Sequence, residues 1–306
     1  MSGHIICAVD ESPEGQRACA VAAGLSTDLG WDTALLHVVP EHHQLPDRDS
    51  ALAERNRQAV QAHADRLLES VAEDHGLNPL ACEVAVGSPA EEILRAAADQ
   101  DPELVVVGSR GRGELRSAVL GSVSMSVAQH AECPVVVVPP GVEDSIERVR
   151  SGRAIVCGVE DPERDAKTLA LAARLAERLQ GTLHAIHAYS EPPIAPGVPN
   201  APGLAPAAVP PQVAAPPENE LESHGVELLH DAMSRAGVLG ERRVLRGDPT
   251  EVLDHAAEEA NARLIVVGTH GQGNVAAAFL GSVSRRLASR AHTPVVVVPP
   301  SAQTAA

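Results

Sequence analysis

Three glycines and two serines recur twice in this chain at one spacing. Val107-Gly108 is followed by Gly111, nine further residues and Gly121-Ser122-Val123-Ser124; Val267-Gly268 is followed by Gly271, nine further residues and Gly281-Ser282-Val283-Ser284. Each set starts where a β-branched apolar run ends and leads into an amphipathic stretch, the order of a buried strand, a turn and a helix. Glycines at such a turn let a ligand approach the backbone closely, and the first amides of the following helix have no intrahelical partner. Together they suit an anion, and the expected occupant is a nucleotide phosphate.

Other chemistry lacks its residues. Neither loop carries the Gly-Lys-Ser/Thr of a Walker A motif, Lys167 is the only lysine, and Gly108-Ser109-Arg110-Gly111-Arg112-Gly113 does not follow the dinucleotide fingerprint. Charge compensation for phosphates then falls to helix amides, to Arg110, Arg112 and Arg116, and to Mg²⁺ as an optional companion. No His and Asp are spaced to activate Ser122 or Ser282, so no catalytic residue is named. His37, His42, His43, His184 and His187 have no partners at metal-ligand spacing, and no metal site is expected. Arg285, Arg286 and Arg290 lie at helical spacing and read most simply as a solvated face, with the border of a partner or a phosphate as the alternative.

The elements that must position the loops alternate strand with helix. Ile5 to Val9 reads as a strand ending at Asp10, with a helix from about Glu14 to Leu25, and Ala34 to Val39 is a second strand. A helical pattern from Asp49 to about Glu73 precedes a strand over Cys82 to Val86, and Ser88-Pro89-Ala90-Glu91 opens the next helix. Leu104 to Val107, the helix Ser122 to Ala131 and the strand Val135 to Val138 complete the unit. Such alternation gives a parallel α/β sheet.

The unit then repeats. Ile155 and His187 match Ile5 and His37 at an offset of 150, whereas Gly247, Gly268 and Val295 match Gly87, Gly108 and Val135 at an offset of 160. The extra ten residues fall in a Pro/Ala-rich segment from Glu191 to Pro217 without hydrophobic periodicity, expected as an extended surface loop. The expected division is a first domain over 1–141, a short polar linker over 142–152 and a second domain over 153–306.

Composition narrows the partners. With 24 Lys+Arg against 41 Asp+Glu the formal charge is −17, which repels nucleic acid and anionic membrane. Trp31, Tyr189 and Phe279 are the only aromatic residues, too few for a base-stacking platform. No apolar run is long enough to span a bilayer and no secretory leader is evident, so a cytoplasmic protein is expected. The five cysteines lack paired spacing, and Cys7 and Cys157 read as small buried hydrophobes.

Two α/β units, each with Gly-x-x-Gly-(nine residues)-Gly-Ser after the fourth strand and a carboxylate after the first, resemble the universal stress protein family in its tandem form. The resemblance covers nearly the whole chain. It implies two doubly wound α/β domains, each with a five-stranded, mostly parallel sheet, related by a pseudo-twofold, and ATP held at the strand ends. Carried over by position, Asp10 and Val38 would lie at the adenosine end of the first site. Val107 and Gly108 would border ribose and phosphates, and Gly111, Gly121, Ser122, Val123 and Ser124 would hold the triphosphate. In the second half the same positions are Glu160, Ala188, Val267, Gly268, Gly271, Gly281, Ser282, Val283 and Ser284. Glu160 is longer than Asp10 and Ala188 smaller than Val38, so the first site is expected to bind more tightly.

In similar proteins the last strands of two domains pair across a twofold axis. Here Val135 to Val138 and Val295 to Val298 would pair within one chain, covering edges that would otherwise invite aggregation. Association of two chains is left open. The reading is an ATP-binding stress-response protein whose loops change a surface seen by a regulatory protein partner. Two alternatives stand beside it: a slow Mg²⁺-dependent ATP hydrolase using Asp10 or Glu160, and a nucleotide-free interaction module using the Pro-rich segment.

Overall fold

The structure, a computed structural model, describes residues 3–41, 50–110, 120–190, 218–269 and 280–300. The first unit runs β1 (His4–Val9), α1 (Pro13–Leu29), β2 (Asp32–Val39), α2 (Ser50–Asp74), β3 (Ala81–Val86), α3 (Pro89–Gln100), β4 (Leu104–Gly108), α4 (Ser122–His130) and β5 (Val135–Val138). After a 3-10 turn (Pro140–Ser145) and α5 (Ile146–Ser151), the second runs β6 (Ala154–Gly158), α6 (Ala166–Arg178), β7 (Leu183–Tyr189), α7 (Glu218–Ala236), β8 (Glu241–Arg246), α8 (Pro249–Glu259), β9 (Ala262–Gly268), α9 (Ser282–Arg290) and β10 (Val295–Val298).

The strands form one ten-stranded sheet in the order β3-β2-β1-β4-β5-β10-β9-β6-β7-β8. Every neighbouring pair is parallel except β5 with β10, which run antiparallel with Val136 opposite Val296. The two units are thus tandem five-stranded α/β folds joined through their last strands, and the expected pairing of these edges within the chain is present.

The Val runs need no polar alternation because helices cover both faces. All four residues of β5 and of β10 are buried. Alternate side chains feed opposite layers: Ile5, Cys7 and Val136 pack beneath α1, α2, α6 and α7, while Ile6, Val135 and Val137 pack beneath α3, α4, α8 and α9. Each layer continues through both halves, so the seam is part of the core.

Local chemistry sets the helix ends. Ser12 accepts the amide of Gly15 at 3.0 Å, Pro13 opens α1, and Gly30 closes it in the left-handed conformation at φ 65°. α1 extends to Leu29, four residues past the expected end, and Asp28 in its last turn forms ion pairs with Arg153 at 2.8 Å and Arg263 at 2.9 Å. The connection between the halves, expected as a polar linker, is helical and packed: Val142 and Val149 are fully buried, and the Val149 carbonyl accepts a bond from Arg263 at 2.7 Å.

Candidate functional site

β1 lies between β2 and β4, so the chain leaves the first two strands toward one side of the sheet and the last two toward the other. In an open parallel sheet this reversal leaves a crevice at the carboxyl ends of the strands. Asp10 follows β1, Val38 lies near the end of β2 and Gly108 ends β4. A cavity of about 970 Å³ opens at this point, and all three residues line it with Val107, Gly121, Ser122, Val123 and Ser124. Residues more than 100 positions apart therefore share one wall. Gly111 lies outside the described residues, as do Arg112 and Arg116.

Short-range contacts hold the floor. The amide of Ser12 donates to Asp10 Oδ1 at 3.1 Å, and the Ser12 hydroxyl donates to the same oxygen. This ties the end of β1 to the first turn of α1. A Cβ at Gly15 would lie 2.5 Å from Asp10 Oδ1, and one at Gly108 would lie 2.9 Å from the Glu14 carbonyl. The start of α1 and the end of β4 thus approach more closely than any side chain allows.

The phosphate-loop end is stapled. The amide of Gly121 donates to the Ser109 carbonyl at 2.8 Å, and the buried Ser124 hydroxyl reaches the same carbonyl at 2.9 Å and the Gly121 carbonyl at 3.1 Å. The Ser124 proton is thereby engaged within the protein, whereas Ser122 is exposed at the start of α4. Arg110 lines the cavity, and its buried Nε has no hydrogen-bond partner among the described residues.

The second half repeats the staple with small changes. Gly281 donates to the Thr269 carbonyl at 2.9 Å, and the Ser284 hydroxyl donates to the Gly268 carbonyl at 2.6 Å. Val267 is buried, Ala188, Gly268, Gly281 and Val283 are half-buried, and Ser282 is exposed. Gly271 lies outside the described residues. The entry to the helix differs: α6 starts at Ala166, and the buried Asp165 accepts the amides of Glu160 at 2.8 Å and Asp161 at 2.9 Å. Glu160 itself is exposed, unlike the half-buried Asp10.

A universal stress protein family model matches residues 1–139 and again 152–299. The chain belongs to the universal stress protein family. Among its relatives, a universal stress protein of Mycobacterium tuberculosis is 30% identical over 301 residues, covering 96% of each chain. One from Mycolicibacterium smegmatis is 28% identical over 312 residues, covering 97% of each. The crystal structure of a universal stress protein from Archaeoglobus fulgidus superposes with a TM-score of 0.65 at 19% identity, covering 98% of this chain and 99% of that one, which shows a shared fold.

Several walls of this universal stress protein's cavity were not singled out from the sequence. Ala59, Val60, His63 and Ala64 of α2 close one side, and His63 Nε2 meets Glu11 Oε1 at the rim. Nothing in the helical pattern of α2 distinguishes a residue facing a cavity from one facing the core. His37 also lines the cavity; its Nδ1 bonds the Val9 carbonyl at 2.7 Å, as His187 Nδ1 bonds that of Val159 at 2.9 Å. The repetition of this histidine at an offset of 150 was the available signal, and its visible task is to hold the ends of adjacent strands together.

Several titratable groups outside the cavity have structural roles. Among the described residues no group of three or more His, Cys, Asp or Glu is placed to hold a metal, and no helix is long and apolar enough to cross a membrane. All five cysteines are free thiols; burial pushes Cys133 up to about 12. Cys7 lies well above its ordinary range, chiefly through its contact with Cys19 at 3.6 Å and then through burial. Arg286, read as part of a solvated face, meets Asp248 at 2.9 Å; burial raises the Asp248 carboxyl, but Arg286 and the Thr250 amide outweigh it and hold the pKa below its usual value.

Proposed function

We propose that the first half binds ATP in the cavity at the ends of β1, β2 and β4. The observation that carries the reading is one crevice of about 970 Å³ lined by a carboxylate and apolar side chains together with glycines, an exposed serine and an arginine. Asp10 and Val38 take the adenosine. Gly108, Gly111, Gly121, Ser122 and Val123 take the phosphates, and Ser124 keeps the loop ends together. The start of α4 favours an anion by about 0.3–1 kcal/mol, and Arg110 adds a full charge beside it. Among the described residues Asp10 is the only carboxylate lining the cavity, so a Mg²⁺ ion would be carried mainly by the phosphates.

The second half, through Glu160, Ala188, Val267, Gly268, Gly271 and Gly281 to Ser284, binds the same ligand more weakly. The altered entry to α6 and the exposed Glu160 support that ranking. Nucleotide occupancy then sets the shape of the loops for a regulatory protein partner in the cytoplasm, and binding rather than turnover is the activity. Association of two chains would use surfaces away from the β5–β10 seam.

The test is to denature the purified protein, identify any released nucleotide, and titrate the stripped protein with ATP by calorimetry. One tight equivalent per chain is expected. No released nucleotide and no heat at millimolar ATP would sink the reading, whereas sustained phosphate release lost in Asp10→Ala would replace binding with slow hydrolysis.

A further inference from the structure

The seam between the halves poses a recognition problem. β5 and β10 lie in the identical runs Pro134 to Pro140 and Pro294 to Pro300, each reading Pro-Val-Val-Val-Val-Pro-Pro, and their register is centred on Val136 and Val296. Main-chain bonds and valine packing there would serve two first halves, or two second halves, from separate chains equally well. Something beside the strands must choose.

The flanking side chains differ in charge at matched positions of the repeat. Gly3, Gly24, Asp28 and Glu103 of the first half correspond to Arg153, Arg174, Arg178 and Arg263 of the second. Across the seam these positions meet. Arg263, whose side chain is only 2% exposed, reaches Asp28 at 2.9 Å and lies against Gly24, where an added Cβ would come within 2.6 Å of its Nη2. Arg153 reaches the same Asp28 oxygen at 2.8 Å. On the related side Glu103 faces Arg174 at 3.7 Å, and Arg178 sits over the Trp31 ring at 5.4 Å from its centroid.

We propose that these four positions form a charge code by which a first half accepts only a second half, so that each chain closes on itself and the identical half of another copy is refused. Two second halves would set Arg263, buried in the native seam, against Arg174 and Arg178, cation on cation. Two first halves would leave Glu103 facing Asp28 with no cation from the set. Rejection of the wrong partner by like charge is a general route to pairing specificity. Gly24 completes it sterically, because only glycine there leaves room for Arg263.

The experiment measures the mass of the full chain by light scattering across a concentration series for Glu103→Arg and Glu103→Gln. Both substitutions are at a side chain 43% exposed, so the fold tolerates them. Both remove the native pair, but only Glu103→Arg lets position 103 attract Asp28 of another chain's first half. The expected result is a mass that rises with concentration above that of the native chain for Glu103→Arg and not for Glu103→Gln. If the two variants behave alike, whether both remain native or both associate, the code is overturned. Asp28→Arg, paired with Asp28→Asn, repeats the comparison from the opposite side and must give the same contrast.

Discussion

The amide of Gly121 donates to the carbonyl of Ser109 at 2.8 Å, closing the fold at the point where the chain leaves β4 and returns as α4. A Cβ at Gly121 would lie 3.1 Å from that carbonyl oxygen and 3.4 Å from both Arg110 Cα and Ser124 Oγ. The carbonyl and Cα are backbone and cannot swing aside. Gly121→Val is therefore expected to push the loop ends apart and abolish ATP binding to the first half while the core of the sheet persists. Calorimetric titration beside a circular dichroism melt checks both parts, and unchanged ATP affinity in a folded variant would remove Gly121 from the site.

Asp10 has two tasks that a pair of substitutions separates. Its Oδ1 accepts from the Ser12 amide and hydroxyl, and Ser12 in turn caps α1 through Gly15. Asp10→Ala should cost about 1 kcal/mol of stability, the scale of a helix cap or one hydrogen bond, and weaken ATP binding. Asp10→Asn retains an acceptor for Ser12 and should recover most of the stability without recovering the carboxylate's contribution to binding. Urea denaturation and titration of both variants resolve the two effects; equal ATP affinity in all three proteins would contradict the placement of Asp10 at the ligand.

Asp28 should matter more to stability than Arg263. Burial pushes the Arg263 guanidinium below its ordinary range, with Asp28 pulling in the opposite direction. Asp28→Asn leaves that buried cation without its counter-charge and is expected to cost about 3–5 kcal/mol. Arg263→Met removes the charge and fills much of its space with apolar atoms, while Asp28 keeps Arg153. Its loss should be smaller, which urea midpoints would show; a larger loss for Arg263→Met would mean that packing and the Val149 carbonyl, rather than charge, dominate the contact.

Thiol reactivity should divide the cysteines sharply. Cys82 on the edge strand β3 is exposed, and the other four are buried. Burial, then Glu69 and Asp65, raises the Cys82 pKa, so its thiolate fraction and labelling rate should climb as pH rises through the alkaline range. Burial also holds Cys133 up to about 12 and Cys157 well above the ordinary value, so these should stay silent in the native protein. Titration with a disulfide reagent is expected to count one thiol before unfolding and all five after it; rapid native labelling of a second thiol would show that the core opens readily.

Sequence alone determined the order of the strands and main helices, the duplication, the depth of the Val runs and the glycines of the two repeated loops. These are local properties: a strand covered on both faces must be apolar throughout, and a turn that brings backbones together must lack a Cβ. The repeat singled out Gly121, whereas Asp10 and Val38 were reached only through the family resemblance. Tertiary structure decided that they line one cavity, because strand order, which no single stretch encodes, places β1 beside β4. It also decided that α2 supplies a wall, that the supposed polar linker packs as helix, and that Asp28 meets Arg263. Each of these depends on residues distant in sequence becoming neighbours, and their free energy exists only once the sheet has brought them together.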